Sequence, residues 1–126
     1  MTTTLDLDPV QEAARIAAQN DAFRRSILST TPVADAPLGQ FLMTRGVAAL
    51  GPDVQLELTR RVAAFDGFNA DSDPQGWHEM GVIEFDGATV WFKLDLYDVD
   101  YQYGSPEPSD PEQTRRVLTL LLPSEY

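Results

Sequence analysis

Apolar residues recur along the chain at two spacings, one helical and one extended. From Pro9, the positions Ala13, Ile16, Asn20, Phe23 and Ile27 follow steps of three and four, which predicts a helix with one face toward a core. Asp8 suits its N-cap and Pro9 its first turn. Arg15, Arg24 and Arg25 are expected to stay in water. "STTPVADAPLGQ" then ends the helix with two prolines and a glycine. In "QFLMTRGVAAL", Phe41, Met43 and Arg45 alternate with Leu42 and Thr44, which hints at a strand that Gly46 would break. "GPDVQLELTRRVAAFDG" returns to the helical spacing. Pro52 starts it, Gly67 stands past its end, and Val54, Leu58, Val62 and Phe65 share a face, with Asp53, Glu57, Arg60 and Arg61 toward water.

Beyond the loop "NADSDPQG", two β-rich runs flank Asp86-Gly87, a strong hairpin signal. A two-residue turn sets the register, because side chains alternate with period two. Phe85 then faces Ala88, Ile83 faces Val90 and Gly81 faces Phe92 on an apolar face that Leu94 and Leu96 continue. The opposite face pairs Glu84 with Thr89, Val82 with Trp91, Met80 with Lys93 and His78 with Asp95, and Tyr97 extends it. "GSPEPSDPEQ" is too rich in proline for a strand; Ser109 to Glu112 has capping-box spacing for one helical turn. "RRVLTLLLPSEY" is apolar on both faces and belongs inside the sheet. The expected fold is α+β: two helices on one face of a small, mainly antiparallel sheet of three or four strands. Residues 1–8 are expected to form a flexible N-terminal tail and residues 9–126 a single α+β domain.

Composition changes this picture in one respect. The chain has 126 residues and a net charge of −11, and the charge is unevenly placed. Twelve acids stand between Asp66 and Glu112 against the single base Lys93; elsewhere eight acids balance eight arginines. Such a field repels nucleic acid and anionic lipid and attracts basic partners. No cysteine is present, so disulfides and thiolate metal sites are excluded. With an N-terminus unlike a secretory signal and no apolar run of membrane length, the expected location is cytoplasmic.

The hairpin carries the candidate chemistry. A carboxylate opposite an imidazole fixes its tautomer, so His78 and Asp95 would form a general-base pair, with Lys93 and Tyr97 as donors beside it. The chain offers no thiol, and no serine in a strained elbow, to act as nucleophile. Asn69, Asp71 and Asp73 are spaced like the start of a calcium loop, but Pro74 stands where glycine is required and Glu79 falls one residue short of the last ligand. Asp95, Asp98 and Asp100 do not share a face. No metal site and no cofactor are therefore assigned. Trp91, Tyr97 and Tyr101, interleaved with Glu84, Asp98 and Asp100, form a candidate binding surface, because tyrosine and tryptophan are enriched at protein interfaces.

"NDAFRR" (20–25), "MTRGVAAL" (43–50), "WHEMGVIEFDG" (77–87), "WFKLDLYD" (91–98) and "RVLTLLLPSEY" (116–126), in this order and spacing, resemble the bacterial family known as domain of unknown function 3768. His78, Lys93, Asp95, Tyr97 and Asp98 match its pattern. Trp77 and Glu79 depart from a Glu-His-Asp triplet. The resemblance implies no established activity; it implies an association with mobile elements and anti-restriction genes. The leading expectation is a non-enzymatic binding protein whose acidic half docks on a basic protein surface, such as that of a restriction or CRISPR nuclease, as a mimic of DNA. The alternatives are an enzyme using His78 and Asp95, and a module that buries Trp91, Tyr97 and Tyr101 in a homodimer.

Overall fold

The computed structural model describes residues 8–29 and 36–126. Apart from Asp8, the expected tail lies outside the described residues, as does half of the segment expected to end the first helix, residues 30–35. Helix α1 (Pro9–Ser26) starts as its sequence dictates. Asp8 accepts from the Gln11 amide at 2.8 Å, and the Gln11 side chain accepts from the Asp8 amide at 3.2 Å, a reciprocal capping box that satisfies two orphan donors. Ile16, Asn20 and Phe23 are buried along its stripe.

Arg24 departs from expectation, with only 1% of its surface exposed. One helical turn beyond Asn20, it falls on the buried stripe. Its guanidinium reaches the carbonyls of Val62 and Phe65, each at 2.9 Å. These lie at the C-terminus of helix α3 (Pro52–Ala64), where unpaired carbonyls and the helix dipole favour a cation. Arg24 thus ties α1 to α3, while Arg15 and Arg25 stay exposed. On the outer side of α3, Glu57 and Arg61 pair at 2.9 Å.

Four strands form one sheet in the order β1-β4-β3-β2: β1 (Gly39–Met43), β2 (Met80–Phe85), β3 (Ala88–Tyr97) and β4 (Arg115–Leu121). Residues 39–43 do join the sheet. They run parallel to β4, so the sheet is mixed although its other pairings are antiparallel. Thr44 then caps a single short helix, α2 (Arg45–Ala48). Strand β4 is interior, as its two apolar faces require. Phe23, Leu58 and Val62 of the helices meet Val90, Phe92 and Leu118 of the sheet in one core. Gly81 is needed there: a Cβ at that position would lie 2.3 Å from the Phe92 ring.

The expected helical turn at Ser109–Glu112 is absent. The Asp110 carboxylate accepts from the Glu112 amide at 2.9 Å, and its carbonyl from the Gln113 amide at 3.1 Å, closing a tight turn instead. Among the described residues, no helix is long and apolar enough to cross a membrane.

Candidate functional site

The hairpin has the register that its Asp-Gly turn dictates, from Phe85↔Ala88 to Met80↔Lys93. The ladder stops there. His78 has φ 57, a left-handed conformation uncommon outside glycine, and this kink turns it off the sheet. Asp73 holds the kink. It is 8% exposed and accepts from the amides of Trp77 at 3.2 Å and His78 at 3.1 Å. The His78 ring therefore lies on the helix side, where Nδ1 is 3.0 Å and 3.1 Å from the two oxygens of Asp21. It stacks on Phe68 with centroids 4.1 Å apart and planes 2° from parallel. The expected His78–Asp95 pair does not form. Asp95 instead binds Lys93 at 3.0 Å on the far face.

Asp21 stands between two nitrogen bases, ion-paired to Arg24 on one side and hydrogen-bonded to His78 on the other. Burial pulls the Arg24 pKa down, and the contact with Asp21 opposes that fall. The Asp21 carboxylate favours the proton on Nδ1 of the neutral imidazole, which leaves Nε2 as an acceptor. Nε2 lies 3.9 Å from Asp73 Oδ2. Asp21, Asp73 and His78 form one end of a groove of about 750 Å³ between α1 and the 70–76 loop, whose walls include Ala14, Ala18 and Pro74. Among the described residues, no hydroxyl or thiol side chain lines it. This arrangement can accept a proton or bind a donor; it has no nucleophile of its own.

The other face of the sheet carries the remaining candidates. Leu42 is 46% and Val82 50% exposed, and Trp91, Lys93, Asp95 and Tyr97 are half-buried beside them. Tyr126 of the C-terminal 3-10 turn (Pro123–Glu125 and its cap) meets Trp91 edge-on at 5.5 Å. Glu84 is exposed at the hairpin. The surface expected to run from Trp91 through Tyr97 to Tyr101 breaks after Tyr97. Asp98 accepts from the amides of Asp100 at 3.2 Å and Gln102 at 3.1 Å, and Tyr101 takes φ 59. This turn bends the chain back to a bridge between Tyr97 and Gly104. Tyr101 and Asp100 thus sit on a loop at the sheet's end, outside the row of Trp91 and Tyr97.

Strand polarity gathers the acids. Strand β2 begins, β3 ends and β4 begins at the same end of the sheet. The loops there carry Asp71, Asp73, Glu79, Asp98, Asp100, Glu107, Asp110 and Glu112, and Asp95 lies in the adjoining stretch of β3. Nearby bases are occupied: Lys93 by Asp95, and Arg115 by the carbonyl of Thr114 at 3.0 Å. Burial raises the Glu79 pKa, and Asp73 and Asp95 add to the rise. Hydrogen bonds from Gln113 and Glu112 hold Asp110 below the usual carboxylate range. The calcium-like loop is occupied by its own backbone, since Asn69 Oδ1 accepts from the amides of Asp71 and Ser72 at 2.9 Å and 3.0 Å. Among the described residues, no three histidine or carboxylate side chains converge as a metal site.

Asp21, Phe68 and Arg24 are the site residues that the sequence reading missed. A signal existed for two of them: Asp21 and Arg24 stand three apart on a helix, a spacing at which opposite charges meet. No local pattern announces Phe68 under His78.

A family model described as "Protein of unknown function (DUF3768)" matches residues 43–125. The match includes Phe68, Asp73 and His78 but begins after Asp21 and Arg24. No curated protein and no solved structure matches the chain. The match covers well over half of the chain, which therefore belongs to the DUF3768 family.

Proposed function

We propose that this member of the DUF3768 family is a small acidic binding protein of the cytoplasm that docks on a basic protein surface. One observation carries the reading: strand polarity concentrates nine acids of residues 66–112 at one end of the sheet, beside a half-exposed face. A surface of one sign speeds encounter with the opposite sign and rejects like-charged partners. Trp91, Tyr97, Leu42 and Val82 supply apolar contacts, and Glu84, Asp98, Asp100 and Tyr101 lie around them. In its sharpest form the partner is a DNA-cleaving defence nuclease of the restriction or CRISPR type, with exposed carboxylates in the place of phosphates.

The test is a DNA-cleavage assay on such nucleases with the protein added. Inhibition relieved by excess DNA, and lost when Asp98, Asp100, Glu107 and Glu112 are all changed to the corresponding amides, supports the reading. Cleavage unaffected at low salt removes the nuclease from it. The half-exposed sheet face favours a second use, a homodimer burying Trp91. The net charge of −11 opposes it, and a monomer in light scattering at high concentration excludes it.

A further inference from the structure

The groove at His78 lies on the helix side of the sheet, away from the half-exposed face of Trp91 and Tyr97. We infer that it is a binding site for a free aliphatic amine, with the ammonium group held between His78 Nε2 and Asp73 Oδ2. The two acceptors lie 3.9 Å apart. A nitrogen at ordinary hydrogen-bond distance from each, about 2.9 Å, subtends an angle of roughly 86° between them, which tetrahedral N–H directions accommodate with little bending. An ammonium is a compact charge with three donors, so two N–H groups can satisfy both acceptors and the third can meet water.

Both acceptors are built for this before any ligand arrives. Asp21 takes the Nδ1 proton and so presents the Nε2 lone pair. Phe68 supports the flat face of the ring. Asp73 is fixed by the amides of Trp77 and His78; Oδ1 accepts from both, and Oδ2, which accepts from His78 alone, keeps a lone pair. Charge selects the sign of the ligand. Arg24 balances Asp21, which leaves the Asp73 carboxylate as the unbalanced charge of the groove, and among the described residues no lysine or arginine lines it. The rest of the groove selects the tail. Ala13, Ala14, Ala17 and Ala18 on α1 line it together with Ala70 and Pro74, and Val10 adds a further apolar side chain, giving a channel walled mostly by small apolar groups. An alkyl chain lying there leaves water while its charged head stays paired.

The experiment is a titration of the whole protein with n-pentylamine, followed through the backbone amide resonances of Ala14, Gly76 and His78. Saturable shifts are expected, with affinity in the millimolar range suited to so small a ligand, and pentanoate is expected to produce none. Asp73→Asn, with Oδ1 still accepting from the Trp77 and His78 amides, replaces the charged Oδ2 acceptor by a donor and should weaken binding about tenfold or more. Ala14→Phe fills the channel from an exposed helix position and should abolish binding at unchanged melting temperature. Four results would overturn the inference. The first is no saturable shift. The second is pentanol binding as well as pentylamine. The third is shifts that survive Ala14→Phe, the mark of diffuse attraction to an acidic surface. The fourth is Nα-acetyl-lysine amide binding more tightly than pentylamine, which would assign the site to a lysine of a protein.

Discussion

Arg116 is fully buried, and among the described residues no carboxylate pairs with it. Burial pulls its pKa well below the usual arginine range, down to about 10, equivalent to a cost of about 3 kcal/mol for holding the charge. The charged form is the one the fold disfavours, so this cost is present at every pH below about 10 and is relieved only above it. Two neutral acceptors offset it: Nε donates to Asn20 Oδ1 at 2.7 Å and Nη2 to Gln19 Oε1 at 2.9 Å. Hydrogen bonds from a charged donor contribute about 1.5–3 kcal/mol each. Asn20 also donates to the Trp77 carbonyl at 2.9 Å, so Arg116 holds the amide that holds the His78 kink. Arg116→Met removes the buried charge, yet leaves Asn20 Oδ1 buried without a donor, at a cost of about 1–3 kcal/mol. A net loss of about 2 kcal/mol is expected in urea unfolding. In a double-mutant cycle with Asn20→Leu, the two changes together should cost at least about 1 kcal/mol less than their sum. Buried ionic groups are not inherently stabilising, and apolar residues often replace buried ion pairs without loss. An Arg116→Met protein as stable as the parent, with additive behaviour in the cycle, would therefore refute the role given to this contact.

Two further outcomes follow from single side chains. Gly81→Ala should lower stability by about 1–3 kcal/mol, because its Cβ meets the Phe92 and Phe65 rings at 2.3 Å and 2.8 Å; Gly87→Ala, with open space but φ 78, should cost only about 1 kcal/mol, and thermal melts that reverse this order would contradict the packing. Glu79 has its pKa raised on folding, so the folded state binds its proton more tightly, and stability falls as pH rises from the ordinary glutamate range through the folded value. Glu79→Gln should therefore unfold at higher denaturant than the parent at neutral pH, with the difference vanishing in acid; a difference that grows in acid would reverse the sign of the argument.

The hairpin was legible because its information is local. Asp86-Gly87 fixes the turn, alternation fixes the faces, and every pair from Phe85↔Ala88 to Met80↔Lys93 follows. His78 lies two residues beyond the point where that logic applies. A buried carboxylate from the preceding loop, Asp73, captures two amides and turns the backbone through a left-handed residue. No alternation pattern contains that event. Arg24 was misplaced for a related reason. Charge pointed it to water, while its position one turn from Asn20 placed it in the core, and the carbonyls at the end of α3 made burial tolerable. The parallel pairing of β1 with β4 depends on a crossover through α2, α3 and the hairpin, and neither strand records its partner. The gathering of acids at one sheet end was visible in sequence only as a charge-rich segment; strand polarity gave it a place.

The most direct test of the proposed function is the salt dependence of binding to a nuclease that the protein inhibits. Docking through the acidic end predicts a dissociation constant that rises steeply from low to moderate salt, as the Debye length shortens to about 10 Å at 0.1 M. It also predicts a shallower dependence after Asp98, Asp100, Glu107 and Glu112 are changed to amides. An affinity that stays constant across the salt series, with the neutralised protein binding as well as the parent, would contradict the account.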